Sequence, residues 1–282
     1  MPATFLSQLT GSFATSAAQN PTVAVMEAAY EHAGLDIRYI NCEVPSERLG
    51  DAVRGAIGMG WLGFNCSIPH KIAILEYLDS LAPSAEIIGA VNCVINDDGR
   101  LTGENTDGQG FVNALRDLID PQGKSFVILG AGGAARAIAV ESALAGAQHI
   151  TIVNRTADRG AELASLVADR TTASSEFTHW EGTYRVPDGT DIVVNATSIG
   201  FHPSTSTPDI DLHSVHEGMV VADVVANPPD TQFLSLAAAR GATPLQGLGM
   251  LVNQAHTNAR LWTGRDLDAG VMRRVLESAL LG

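Results

Sequence analysis

Cysteine is scarce in this chain of 282 residues, and the three present, Cys42, Cys66 and Cys93, have no C-x-x-C spacing. An odd number without that spacing indicates neither a disulfide framework nor a thiolate zinc site, and no metal is expected. Each cysteine lies in or beside an apolar, strand-like run and reads as a buried, inert thiol. Basic residues are also few: 17 Lys and Arg against 31 Asp and Glu leave a net charge of −14. No cationic cluster is available for phosphate contacts, which argues against nucleic acid as a partner. The first thirty residues lack a basic stretch followed by an apolar one, and no uncharged apolar run is long enough to span a bilayer. No membrane partner is therefore expected, and the expected location is the cytoplasm. Internal repeats and low-complexity segments are missing as well. What is abundant is apolar residues, at 45% against 17% charged, which fits a well-packed α/β protein of one large or two ordinary domains.

Periodicity along the chain alternates strands with helices. TFLSQLTGSF, IRYINCEV and GFNCSI read as strands, with helices at TVAVMEAAYEHAG, ERLGDAVRGAIGM and HKIAILEYLDSL. IGAVNCVIN and RLTGEN read as short strands around the turn Asp97-Asp98-Gly99, followed by a helix over GQGFVNALRDLI. Pro121-Gln122-Gly123 then punctuates the chain. A second series follows: strand SFVILG, helix AARAIAVESALAGA, strand HITIVNR, helix TADRGAELASLVADR, and strands DIVVNATSIG and MVVADVVA. Such alternation favours parallel pairing through right-handed crossovers. From about Gly241 the chain reads as a glycine-bearing turn and two helices without a strand.

VILGAGGAARAIAVESAL carries the clearest chemistry. Gly130-x-Gly132-x-x-Ala135 follows an apolar strand and opens a helix, the context of a dinucleotide-binding turn. Gly130 allows the tight turn, Gly132 lets backbone approach a pyrophosphate, and Ala135 lets helix and strand pack closely. Ala131, Gly133 and Ala134 complete the turn, whose free N–H groups face the anion. The next strand ends Asn154-Arg155-Thr156 with Arg159 one turn on, and no acid stands where NAD-type units place one for the ribose. Two guanidinium groups suit a 2′-phosphate, so NADP is expected rather than NAD. The competing reading makes both arginines solvated helix-start residues partly neutralised by Asp158.

Lys71 poses a separate question, since it falls in the first turn of an expected helix, where the macrodipole repels a cation. A lysine so placed in a cleft holds its proton loosely and can pass it to a carbonyl oxygen. Taken alone, Lys71 also reads as a surface lysine, and Asp107 as a cap for a helix starting at Gly108. Asn92, Asn105 and Gln254 have the plainer role of satisfying buried backbone. Asn195, Thr197 and Ser198 either face the nicotinamide or build a turn, and His70 and His256 read as structural.

In order, GFNCSIPHK, GAVNCV, ENTDGQG, GAGGAARA with NRT, NATSIG and QGLGMLVNQA resemble the shikimate dehydrogenase family over most of the chain. The resemblance implies an N-terminal open α/β substrate domain and a Rossmann-type dinucleotide domain. The first is expected to span 1–106, completed by helices in 241–282, and the second 107–240. It implies reversible hydride transfer between NADP(H) and a secondary alcohol of a small cyclic substrate, by a monomer or homodimer. Lys71 and Asp107 fall on the family's catalytic pair, with Asp107 expected to hold the lysine in place. Ser67, Asn92, Asn105 and Gln254 fall on substrate contacts, and Thr197 and Gly249 on the cofactor side.

The pattern breaks where family members that use shikimate carry Ser-x-Ser-Pro, whose hydroxyls hold the substrate carboxylate. This chain reads GSFATSAAQNPT, with Ala18 and Asn20 at the serine positions before Pro21; Thr15 or Ser16 would substitute only if the loop shifts. Ala226 replaces a tyrosine and Cys93 a threonine. The expected activity is therefore on another cyclic polyol or hydroxy acid, with shikimate itself poor. A reading of another class is a cofactor-binding sensor or partner-binding module without turnover.

Overall fold

The computed structural model describes residues 5–201 and 204–281; Thr4, the expected start of the first strand, and Gly282 lie outside them. The chain divides into two compact units, residues 5–106 with 254–280, and residues 107–253.

In the first unit the order is β1 (Gln8–Ala14), α1 (Thr22–His32), β2 (Ile37–Glu43), α2 (Leu49–Gly58), β3 (Gly63–Cys66), α3 (His70–Ala73), β4 (Ser80–Leu81), α4 (Pro83–Ile88), β5 (Cys93–Asp97) and β6 (Arg100–Glu104). The sheet runs β2-β1-β3-β5-β6-β4. β2, β1 and β3 are parallel, whereas β5 runs antiparallel to both β3 and β6. The reversal at β5–β6 has a local cause. Asp98 and Gly99 take φ of 49° and 91°, and the Gly99 N–H donates to Asn96 Oδ1 at 2.8 Å. That is the backbone of a two-residue hairpin turn. Phe13, Leu49, Val53, Trp61, Phe64 and Ile74 pack as one buried cluster in this unit.

The helix expected over 70–81 is not formed. α3 has four residues, Ile74–Tyr77 continues as a 3-10 segment, and Leu78 is extended. Sheet pairing overrides the helical period: the Leu101 N–H donates to Asp79 at 2.7 Å, and Ser80 pairs with Thr102. A one-turn helix sums few peptide dipoles, so the repulsion argued for Lys71 loses its basis.

The second unit contains α5 (Thr106–Arg116, its first residue still in the first unit), β7 (Ser125–Leu129), α6 (Gly133–Leu144), β8 (His149–Asn154), α7 (Ala157–Arg170), β9 (Ser174–His179), β10 (Ile192–Asn195), β11 (Val220–Asp223), α8 (Gln232–Ala238) and β12 (Thr243–Leu245). All its strands are parallel, in the order β12-β11-β10-β7-β8-β9. This is a doubly wound Rossmann sheet whose strand order reverses between β7 and β10. Its strand interiors (Ile128, Ile152, Val193, Val221) are fully buried, as expected for a sheet covered on both faces.

Residues 241–253 differ from expectation. They belong to the second unit, and the reason is β12, which pairs in parallel with β11 at the sheet edge. α9 (Gly247–Thr263) and α10 (Ala269–Leu281) follow, and the first unit resumes at Gln254. Trp262 anchors that return by donating its indole N–H to the Val94 carbonyl at 2.9 Å. A Cβ at Gly63 would lie 2.2 Å from both Trp262 Nε1 and the Val94 oxygen. Gly63→Ala is therefore expected to cost ~1–3 kcal/mol through overpacking. A thermal melt should show the midpoint falling by roughly 5 °C; an unchanged midpoint would mean that the indole is not seated as described.

Candidate active site

In an open α/β sheet, ligands gather outside the carboxyl ends of parallel strands. In the first unit this end is built from polar residues in register. Asn41 of β2, Ser12 of β1 and Asn65 of β3 form one row across three parallel strands. Ser67 and Lys71 follow the end of β3. Asn92 precedes β5 and Asn105 follows β6, and because β5 is antiparallel both lie at that same end.

Hydrogen bonds fix this edge. Ser12 Oγ donates to Asn41 Oδ1 at 2.9 Å, and Asn20 Nδ2 donates to Ser12 Oγ at 3.3 Å and Asn41 Oδ1 at 3.4 Å. Asn20 Oδ1 accepts the Thr22 N–H at 3.1 Å, which sets the orientation of its amide. Asn41 Nδ2 donates to the carbonyls of Ala17 and Asn20, and the Ala17 N–H donates to Glu43. The loop is thus closed on itself through backbone, amide and hydroxyl groups, with the Glu43 carboxylate as a further acceptor. Thr15 and Ser16 on this loop are exposed and make no side-chain hydrogen bond among the described residues. Nearby, Tyr39 donates to Asn65 Oδ1 at 2.9 Å, and Asn65 Nδ2 to the Asn92 carbonyl.

The other expected contacts fall out as follows. Ser67 is exposed; its N–H donates to the Phe13 carbonyl and its carbonyl accepts the His70 N–H. Lys71 is half-buried, and its carbonyl accepts the Val91 N–H at 2.8 Å. His70 is fully buried with Nε2 donating to the Val44 carbonyl at 2.8 Å, so it pins the start of α3 to the chain after β2. Asn92 Oδ1 accepts the Thr106 N–H at 2.7 Å, and Thr106 Oγ1 donates to Asn258 at 2.6 Å. Asn105 donates to the Ala90 carbonyl, while its buried Oδ1 has no partner among the described residues. Gln254 is half-buried on α9.

In the second unit Asp107 is the second residue of α5, half-buried. Because the helix starts at Thr106, Asp107 is not its cap. Gly130 has φ of +111°, conformational space for glycine, and a Cβ there would meet Thr197 Cγ2 at 3.0 Å. Gly132 and Gly133 are exposed, with nothing within 4 Å of an added Cβ. α6 has no side-chain cap, and its first internal bond runs from the Arg136 N–H to the Gly132 carbonyl. The N–H groups of Gly133, Ala134 and Ala135 therefore have no acceptor within the helix. Ala131 and Ala134 are half-exposed, and Ala135 is buried against the sheet. This open, uncapped turn fits a dinucleotide pyrophosphate.

Arg155 and Arg159 are both exposed, and neither has an ion-pair partner among the described residues, Asp158 included. Asn154 Nδ2 donates to the Thr156 carbonyl at 2.8 Å, which shapes the turn that carries Arg155. Gly249 lies in the first turn of α9, its carbonyl accepting from Asn253 Nδ2. Thr197 Oγ1 donates to Asn195 Oδ1 at 2.6 Å. Next to Asn195 stands Asp223, 2% exposed; burial pushes its carboxyl up to about 6, against the lowering effect of hydrogen bonds from Val225, Thr231 and Asn195. Ser12, Asn41 and Asp223 were missed by sequence reading. Their partners lie far along the chain, and only the strand register brings them together.

Three family models match the chain: the shikimate dehydrogenase substrate binding domain at residues 14–94, shikimate / quinate 5-dehydrogenase at 113–232, and the shikimate 5'-dehydrogenase C-terminal domain at 247–277. A relative from Methanopyrus kandleri, shikimate dehydrogenase (NADP(+)), is 42% identical over 90% of this chain and 89% of its own. Among solved structures, the ligand-free 5-ketofructose reductase of Gluconobacter sp. strain CHM43 is 56% identical, with a TM-score of 0.96 over 98% of this chain and 99% of the other. Shikimate 5-dehydrogenase of Listeria monocytogenes, in complex with shikimate and NAD, is 33% identical with a TM-score of 0.91, covering 98% of both chains.

Proposed function

The chain belongs to the shikimate dehydrogenase family, and from that premise we propose that it is an NADP(H)-dependent reductase of a small, uncharged polyhydroxy ketone, with shikimate a poor substrate. The observation that carries this reading is the neutral cluster of Ser12, Asn20 and Asn41 at the carboxyl end of the first sheet. Family members that use shikimate present two serine hydroxyls to a carboxylate there. In this chain Asn20 is engaged with Ser12, Asn41 and the Thr22 N–H, and so offers a carboxylate nothing in place of the two hydroxyls. The likeness to a 5-ketofructose reductase supports the same substrate class, a ketose without a carboxylate.

NADPH, when bound, supplies the hydride that reduces the carbonyl carbon. The residues fitted to hold it are Gly130, Ala131, Gly132, Gly133 and Ala134 for the pyrophosphate, and Asn154, Arg155, Thr156 and Arg159 for the 2′-phosphate end. Thr197 and Gly249 are assigned to the nicotinamide end. Lys71 gives a proton to the carbonyl oxygen in reduction and takes it back in the reverse direction, and Asp107 supplies the carboxylate of the catalytic pair. Ser67, Asn92, Asn105 and Gln254 orient the substrate hydroxyls. Asn105 Oδ1, without a partner among the described residues, is an acceptor of the kind such a hydroxyl needs.

Reduced-cofactor absorbance across a panel of ketoses and cyclic hydroxy acids tests the assignment. Turnover of 5-ketofructose or another neutral polyhydroxy ketone is expected; tight NADPH binding with no turnover of any member would refute it. Arg155→Ala should raise the KM for NADPH at least tenfold and leave that for NADH within about twofold, since only the former carries the 2′-phosphate. Equal weakening of both would remove the phosphate clamp from the account.

A further inference from the structure

The loop after β10 is held by a buried acid to which the proposed chemistry gives no role. Leu129, Asn195 and Asp223 stand side by side at the carboxyl ends of β7, β10 and β11, beside the reversal of strand order. Asp223 accepts Asn195 Nδ2 at 2.9 Å and the Val225 N–H at 3.1 Å on Oδ1, and Thr231 Oγ1 at 2.8 Å on Oδ2. Asn195 Nδ2 also donates to the Ile199 carbonyl at 3.0 Å, while its Oδ1 accepts both the N–H and the hydroxyl of Thr197, at 3.2 and 2.6 Å. The Ile199 N–H closes the loop on Thr197 Oγ1 at 3.1 Å. Every donor and acceptor of the Asn195 amide is used, so the carboxylate fixes which way that amide faces. Thr197 in turn lies against the Gly130 turn, where an added Cβ would meet its Cγ2 at 3.0 Å.

We propose that Asp223 is a positioning residue for the nicotinamide half of the cofactor. It orients Asn195, and Asn195 sets the Thr197–Ile199 loop against the Gly130 turn. This rests on the reading of that turn as the dinucleotide site. A carboxylate only accepts, so its three donors cannot reverse, and the loop has one arrangement instead of several. The pyrophosphate and 2′-phosphate contacts lie elsewhere, so affinity and ring placement are separable. A small displacement of the ring then costs rate far more than binding.

Asp223→Ala, Asp223→Asn and Thr197→Val, compared with the parent, test this with 5-ketofructose turnover and titration of NADPH fluorescence. Asp223→Ala and Thr197→Val should lower kcat roughly 10- to 100-fold while the NADPH dissociation constant stays within about threefold. The emission of bound NADPH should shift toward that of the free cofactor. Asp223→Asn keeps an oxygen facing Asn195 and should stay within about threefold of the parent in kcat. A parental emission spectrum in Asp223→Ala, with any loss of rate matched by a loss of binding stoichiometry, would reduce the residue to a structural role and overturn the proposal. Equal impairment of the Asn and Ala variants would overturn it too, by making charge rather than placement the operative property. If the parent itself binds no NADPH, the dinucleotide reading falls first and the proposal with it.

Discussion

Lys71→Met lowers kcat for ketone reduction by about 10³-fold, within the range expected for loss of a positioned proton donor, and leaves the NADPH dissociation constant nearly unchanged. Methionine keeps the apolar stem and removes the exchangeable proton. The backbone at this position is well held: the Lys71 carbonyl accepts the Val91 N–H, and the neighbouring His70 is buried and bonded to Val44. The substitution therefore tests chemistry rather than folding. Lys71→Arg sharpens the test, since a guanidinium keeps the charge but does not release a proton in this pH range. Both variants should be comparably slow in stopped-flow single turnovers. An arginine variant near the parental rate would give Lys71 an electrostatic role only.

Discrimination against a carboxylate-bearing ring is the second large effect. Two hydroxyls donating to a charged acceptor contribute about 1.5 kcal/mol or more each, so their absence is worth roughly 10²-fold or more in kcat/KM. Asn20 does not restore them, because its amide N–H groups already face Ser12 and Asn41 and its oxygen faces Thr22. A neutral polyhydroxy ketone brings no charge to satisfy at this edge, where the amides and hydroxyl of Asn41, Asn20 and Ser12 are already paired with one another and with backbone. Preference for the neutral ketone over 3-dehydroshikimate should therefore be at least about 10²-fold.

Local patterns in the sequence were readable because their causes are local. The Gly130 turn needs positive φ, a strand before it and a helix after it, and all three lie within twenty residues. The Asp98-Gly99 hairpin is likewise encoded in its own turn. Nonlocal pairings were not legible. The row of Asn41, Ser12 and Asn65 exists only once three parallel strands settle into register, and the Asp223–Asn195 contact needs β11 beside β10. The stretch 70–81 has a helical apolar period, yet hydrogen bonds from β6 capture Asp79 and pair Ser80 with Thr102. Thr243-Pro244-Leu245 is three residues long and contains proline, so its local pattern carries no strand signal. Proline is tolerated there because β12 is an edge strand. The substrate-side departure was visible as Ala18 and Asn20 in place of two serines, but what Asn20 does instead required its partners to be seen.

The substrate class is most directly settled by competition. The enzyme is given equimolar 5-ketofructose and 3-dehydroshikimate with limiting NADPH, and the products are quantified once the cofactor is exhausted. The product ratio equals the ratio of the two kcat/KM values while both substrates remain in excess. Nearly all of the product should be the reduced ketose. Shikimate as the main product would contradict the account.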